Sequence, residues 1–260
     1  MEEIFNRVGK LSPAKQLLLE ELLSGKGTLA AEAGEIRRNA EEGAYLLSFA
    51  QQRLWFLDQL EPGNPFYNVP RVAHLWGELH VPALESSLSE IVRRHAILRT
   101  TFQVLNGEPR QIIATSTPPT LLQVDLEHLP EAERELKAKQ LVTAEVHRPF
   151  DLAVGPLLRT MLVRMRAEEH ILLLVLHHIV ADGQSIEVFF RELSELYSAA
   201  LTGRAAALPV LPIQYADYAV WQREWLQGAV LEAQRAYWKQ QLAGAPPVVS
   251  LPSDYPRPEV

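Results

Sequence analysis

Two adjacent histidines, His177 and His178, end an apolar run and are followed by Asp182-Gly183 in the segment LLLVLHHIVADGQS. A neutral imidazole held by its surroundings takes a proton from an amine or hydroxyl near neutral pH. Two tasks are open to an aspartate at position 182. It could orient the histidine directly, as in a triad, or turn away and fix the loop by pairing with an arginine. Gly183 permits a backbone geometry that a side chain would block, and it leaves an approachable N–H. Taken alone, the histidines read most simply as structural residues satisfied by backbone. His, His and Asp are also good metal ligands. Neighbours on a strand point to opposite faces, however, so His177 and His178 do not easily share one ion. A Ser–His–Asp hydrolase needs a placed serine, and no G-x-S-x-G elbow is present.

The elements around this segment alternate between helix and strand. Leu157 to Met165 and His170 to Leu176 are β-rich runs around a polar turn at Arg166 to Glu169, and the apolar part of the second, Leu172 to Leu176, ends in the histidines. Ser185 to Leu201 is an amphipathic helix stopped at Gly203. Polar groups at a strand end, before a loop and a helix, sit where α/β proteins support reactive side chains. Upstream, Ala50 to Leu60 reads as a helix, Val69 to Leu79 as a strand and Val81 to Leu98 as a helix. Thr101 to Leu105 and Pro109 to Ile113 flank Asn106-Gly107, a strong hairpin signal. Leu121 to Leu126 reads as a strand, and Pro130 opens a charged helix to about Val146. Tyr215 to Leu242 is predicted as one tryptophan-rich helix. The proline-rich stretch from Ala245 to Val260 reads as an extended connector.

The first 43 residues differ from the rest. Ser12-Pro13 is a helix start, with an apolar stripe at Leu17, Leu18, Leu22 and Leu23. Thr28 to Gly43 reads as a linker. This leader either docks to a partner or is an ordinary extension.

Composition removes several classes of function. Of 260 residues, 47% are hydrophobic and 22% charged, as in a folded globular protein. Lys plus Arg is 25 and Asp plus Glu is 32, a net charge of −7, with no basic tract for nucleic-acid phosphates. Without cysteine there is no disulfide, thiolate nucleophile or Cys-based metal site. No secretory signal follows Met1, and the run Ile171 to Val180 is too short to span a bilayer. The expected compartment is the cytoplasm, with no membrane and no nucleic-acid partner.

HHIVADGQS resembles the HHxxxDG motif of the condensation domains of nonribosomal peptide synthetases. Leu47 to Pro70 (LSFAQQRLWFLDQLEPGNPFYNVP) is similar to that family's opening motif, and Arg93 to Phe102 (RRHAILRTTF) to its second. Tyr215 to Gln222 (YADYAVWQ) is similar to its fourth, and Leu251 to Pro258 (LPSDYPRP) to the stretch that follows. The resemblance implies a mixed α/β fold like that of chloramphenicol acetyltransferase, two αβα lobes with the active site at their junction. Residues 44–210 would then be the N-terminal lobe. Residues 211–260 would be the crossover helix and connector, and 1–43 the helical leader. The second lobe's motifs are absent, so the chain reads as an N-terminal fragment with little activity of its own.

The resemblance further implies amide formation between two acyl groups carried as thioesters on phosphopantetheine arms. His178 takes the catalytic place, as base toward the acceptor amine or as the group that positions it. His177 becomes a packed interior residue. Asp182 is structural, paired with Arg99 or, as the weaker choice, Arg94. Gly183 lines the approach to His178. No metal or cofactor is bound by the domain itself. The implied partners are donor and acceptor carrier domains, an adjacent adenylation domain and, through the leader, an upstream synthase subunit. Heterocyclisation domains replace the histidine pair with aspartates, and epimerisation domains differ at the opening motif. The type joining an L-configured donor is the most similar. Two other functions compete: a stand-alone acyltransferase using coenzyme A thioesters, and a non-catalytic recruitment platform.

Overall fold

The segment from Leu172 to Leu176 is apolar at every residue, which suits a strand covered on both faces. In the computed structural model it lies in β7 (Glu169–His177) and is fully buried. The structure describes residues 34–39, 43–115, 119–246, Pro252 and Asp254. The expected leader helix lies outside the described residues, as does most of the proline-rich tail. The described residues fall into two compact units, Glu35–Arg223 and a second that takes in the residues from Glu224 onward.

The first unit runs β1 (Ala44–Leu46), α1 (Phe49–Leu60), β2 (Asn68–Trp76), α2 (Val81–Arg94), β3 (Thr100–Leu105) and β4 (Glu108–Ile113). It continues with β5 (Leu121–Asp125), α3 (Glu131–His147), β6 (Leu158–Arg166), β7 and α4 (Gly183–Thr202). Helix α5 (Tyr215–Trp225) begins in this unit, and α6 (Gly228–Gln241) lies in the second. The units part between Arg223 and Glu224.

Four strands pair in the order β2-β7-β6-β5, all antiparallel except the parallel pair β5/β6. Residue parity along β7 divides the core in two. Ile171, Leu173 and Val175 face a cluster with Met161 and Val163 of β6, Ala138 of α3 and Leu54 of α1. Leu172, Leu174 and Leu176 face the opposite cluster, with Leu88 and Ile91 of α2 and Phe189 and Leu193 of α4. The result is helix, sheet, helix around one strand pair. A smaller antiparallel sheet, β1-β4-β3, carries the hairpin at Asn106-Gly107. Both turn residues have positive φ, 53° and 82°, as a two-residue turn of that hand requires.

The sequence reading places most elements within a few residues; it does not contain β1, and two other elements differ. The run from Tyr215 to Leu242 is not one helix. It breaks between Trp225 and Gly228, where Gly228 takes a left-handed φ of 54°. The helix expected to reach Leu98 ends at Arg94, and a 3₁₀ turn, Ala96–Arg99, leads into β3.

Candidate active site

His177 is the last residue of β7, and its parity carries it to the face of Ile171, Leu173 and Val175. It is 3% exposed. Phe150 meets its ring edge-on at 6.0 Å between centroids, and Tyr67 lies 6.3 Å away. Its Nδ1 accepts a hydrogen bond from the Ile179 N–H at 3.1 Å. Burial, and then the neighbouring His178, push its pKa down to about 4. His177 is therefore a neutral residue that ties down the turn after the strand.

His178 lies one position further on and is exposed. Its N–H donates to the Tyr67 carbonyl at 2.9 Å, which extends the β2/β7 ladder by one bond. Its ring Nδ1 lies 2.7 Å from the Ala181 carbonyl oxygen. A carbonyl only accepts, so Nδ1 carries the hydrogen. In the neutral ring the lone pair is then on Nε2. An exposed imidazole with a fixed tautomer and a free Nε2 can accept a proton or hold an amine through that nitrogen.

Asp182 is the N-cap of α4. Its Oδ1 accepts from the Ser185 N–H at 2.8 Å and from the Ser185 hydroxyl at 2.6 Å. Ser185 Oγ in turn accepts from the Asp182 N–H at 3.2 Å, which makes a reciprocal capping box. The bonds from Ser185 are the main reason that the Asp182 carboxyl titrates below its usual range.

Two expectations are corrected here. Among the described residues, no ion pair joins Asp182 to Arg99 or to Arg94. Asp182 Oδ1 is committed to Ser185, Arg99 Nη1 donates to the Ala114 carbonyl at the end of β4, and Arg94 is held by Glu192. Nor does Gly183 need glycine's conformational freedom. It is the first residue of α4, its φ is not positive, and a Cβ there would meet nothing within 4 Å. What Gly183 leaves beside the helix terminus is open space.

The second motif is organised around a residue the sequence reading did not single out. Glu192 of α4 is 5% exposed. Its Oε2 accepts from Arg94 Nε at 3.1 Å and from His95 Nε2 at 2.7 Å. Arg94 Nη2 also donates to the Pro209 carbonyl. Gln214 accepts from the Ala96 N–H at 2.9 Å and donates to the Arg94 carbonyl at 3.1 Å, while Asp217 Oδ2 accepts from the Gln214 N–H. The fourth motif reaches the opening one through Tyr215, whose hydroxyl lies 3.0 Å from Ser48 Oγ, the N-cap of α1. Burial pushes the Tyr215 phenol up. A charged residue on the apolar stripe of α4 was the one signal in the sequence that could have found Glu192.

A cavity of about 510 Å³ opens beside the first turns of α4, with Asp182, Ser185, Phe189, Ile213, Tyr215 and Tyr218 among its walls. Among the described residues, no group of three or more His, Asp or Glu is arranged to hold a metal ion. No helix among them is long and apolar enough to cross a membrane.

Comparison with known proteins places this arrangement. The chain is 55% identical over 214 residues to one of the linear gramicidin synthase proteins of Brevibacillus parabrevis, covering 82% of this chain and 3% of that protein. It is 45% identical over all 260 residues to phosphinothricin tripeptide synthetase PhsC of Streptomyces viridochromogenes, or 24% of that protein. Among solved structures it is similar to the starter condensation domain of rhizomide synthetase RzmA. That match has a TM-score of 0.71 and 24% identity, covering 78% of this chain and 49% of that one. It is also similar to the complex of the X-domain and OxyB from teicoplanin biosynthesis, with a TM-score of 0.68 and 29% identity, covering 86% and 49%. The chain thus spans about half the length of the solved chains and a small share of the curated relatives. The fold is the chloramphenicol acetyltransferase-like one, and among the described residues no sheet closes into a barrel. A family model described as the condensation domain matches residues 41–260, and the chain belongs to that family.

Proposed function

We propose that this chain carries the catalytic histidine of a peptide-bond-forming condensation domain. The observation that carries the reading is His178 itself, exposed at the end of a buried strand with its Nδ1 tied to the Ala181 carbonyl. The substrates in this reading are two thioesters on the phosphopantetheine arms of a donor and an acceptor carrier domain, supplied by neighbouring adenylation domains. The acceptor amine attacks the donor thioester carbonyl. The C–N bond forms, the C–S bond breaks, and the proton lost by the amine passes to the departing thiolate. His178 Nε2 accepts that proton or holds the amine in line, a contribution of ~10²–10⁴-fold if it acts as base. Most of the remaining rate comes from bringing two tethered groups to one point. No metal, nucleotide or covalent enzyme intermediate takes part. The cytoplasm is the expected compartment. The half of the solved chains that this sequence does not span supplies the opposite wall of the site.

The test compares two donors for the domain that carries this sequence, an acyl group on a carrier protein and the same acyl group on coenzyme A. The acceptor is an aminoacyl carrier in both arms. Amide product from the carrier-bound donor, read by intact-protein mass spectrometry, is expected. Product from the coenzyme A donor alone would overturn the reading in favour of a stand-alone acyltransferase.

A further inference from the structure

We propose that Ser185 is a positioning residue for His178. The proposal rests on the catalytic reading of His178 and adds a residue to which that reading gives no part. Ser185 does not touch the imidazole. It acts through two contacts in sequence, one across the N-terminus of α4 and one inside the short connection from β7.

The first contact is the capping box. Ser185 makes three bonds with Asp182: N–H to Oδ1 at 2.8 Å, hydroxyl to Oδ1 at 2.6 Å, and Oγ accepting from the Asp182 N–H at 3.2 Å. One hydroxyl therefore fixes both the side chain and the backbone of Asp182. An aspartate cap without that reciprocal partner holds only its carboxylate end, and its backbone N–H is left free.

The second contact is the Ala181 carbonyl, in the peptide unit that Asp182's own nitrogen completes. That oxygen lies 2.7 Å from His178 Nδ1. Because C=O of Ala181 and N–H of Asp182 share one rigid plane, a bond that holds the N–H also sets the direction of the C=O. Ser185 Oγ thus aims the acceptor that fixes the tautomer of His178 and the plane of its ring. The other side of the connection is pinned independently, because Ile179 N–H donates to His177 Nδ1 and Val180 N–H to the His177 carbonyl. Between that pin and Ser185, the Ala181–Asp182 peptide is held by its bonds to His178 Nδ1 and Ser185 Oγ.

Without the hydroxyl, the Ala181–Asp182 peptide can rotate. The His178 ring then loses its carbonyl and samples both tautomers and other rotamers. Misplacing a catalytic group by about 1 Å costs up to ~100-fold in rate. Partial loss of order should cost about 10-fold. Loss of order in the His178 ring acts on the chemical step, so the loss should fall on kcat and leave KM alone.

The experiment measures steady-state amide formation by the complete domain with both loaded carriers. It uses Ser185→Ala, Ser185→Cys, Ser185→Thr and, as reference, His178→Ala. Ser185→Cys keeps the volume and weakens the donor, and none of these 260 residues offers it a disulfide partner. It is therefore the second variant should Ser185→Ala fold poorly. The expected result is a kcat about 10-fold lower for the alanine and cysteine variants, unchanged KM for both carriers, and a rate restored by threonine. A wild-type kcat in a folded alanine or cysteine variant would overturn the proposal while leaving His178 in place. So would a threonine variant as slow as the alanine one. A wild-type rate in His178→Ala would instead overturn the reading beneath the proposal, and the proposal with it.

Discussion

Burial decides the charge of His177 before chemistry does. Folded, the ring titrates at about 4, and unfolded it returns to the ordinary value of 6.5. Between those values the unfolded chain binds a proton that the folded chain refuses, so stability falls as pH drops from 6.5 toward 4. The full loss is on the order of 3 kcal/mol, reached below pH 4. The Asp182 carboxyl is depressed instead, so its contribution holds above the usual carboxylate value and is lost only as pH falls lower still. The two windows are separate. His177→Asn keeps an acceptor for the Ile179 N–H and removes the titration. Urea midpoints measured from pH 7 to 4.5 should fall less steeply for that variant than for the wild type. Equal slopes would show that His177 is not the group that titrates.

At the scale of elements, the joint between α2 and α4 rests on one carboxylate. Glu192 takes Arg94 and His95 together, with side-chain exposures of 6%, 12% and 22%. Removing one partner of a buried charged pair leaves the others uncompensated. Glu192→Ala should therefore destabilise the chain by about 3 kcal/mol, read as a lower denaturant midpoint with unchanged slope. A shift below about 0.5 kcal/mol, the size expected of an ordinary surface change, would show that the cluster is not structural.

The same elements show what a sequence reveals and what it hides. The alternation of strand faces put His177 and His178 on opposite sides without any coordinates, and the family resemblance, not the pattern, placed His177 inside. Asn106-Gly107 marked its hairpin because few residue pairs accept two positive φ values. Asp182 and Ser185 were also legible, since D-x-x-S before an amphipathic run is a helix cap. Starting that helix at Ser185 instead of Gly183 concealed it. The Arg94–Glu192 pair was not legible, because the two residues are 98 apart in sequence and only tertiary packing joins them. The break before Gly228 was hidden by an apolar pattern that continues across it. The three-residue strand β1 is too short to show alternation.

On the scale of the whole molecule, the residues that carry the family motifs converge although they are dispersed along the chain. Ser48 of the opening motif meets Tyr215 of the fourth, and Asp182 and Tyr215 border one cavity. In the proposed function, two substrates arrive on separate carriers and the exposed His178 imidazole carries the chemical step. The most direct test is single-turnover amide formation between two loaded carriers by the complete domain, with and without His178→Ala. The variant is expected to fold with the wild-type melting profile and to lose ~100-fold or more of the rate, within the range of general-base help. A folded His178→Ala domain that forms the amide at the wild-type rate would contradict it.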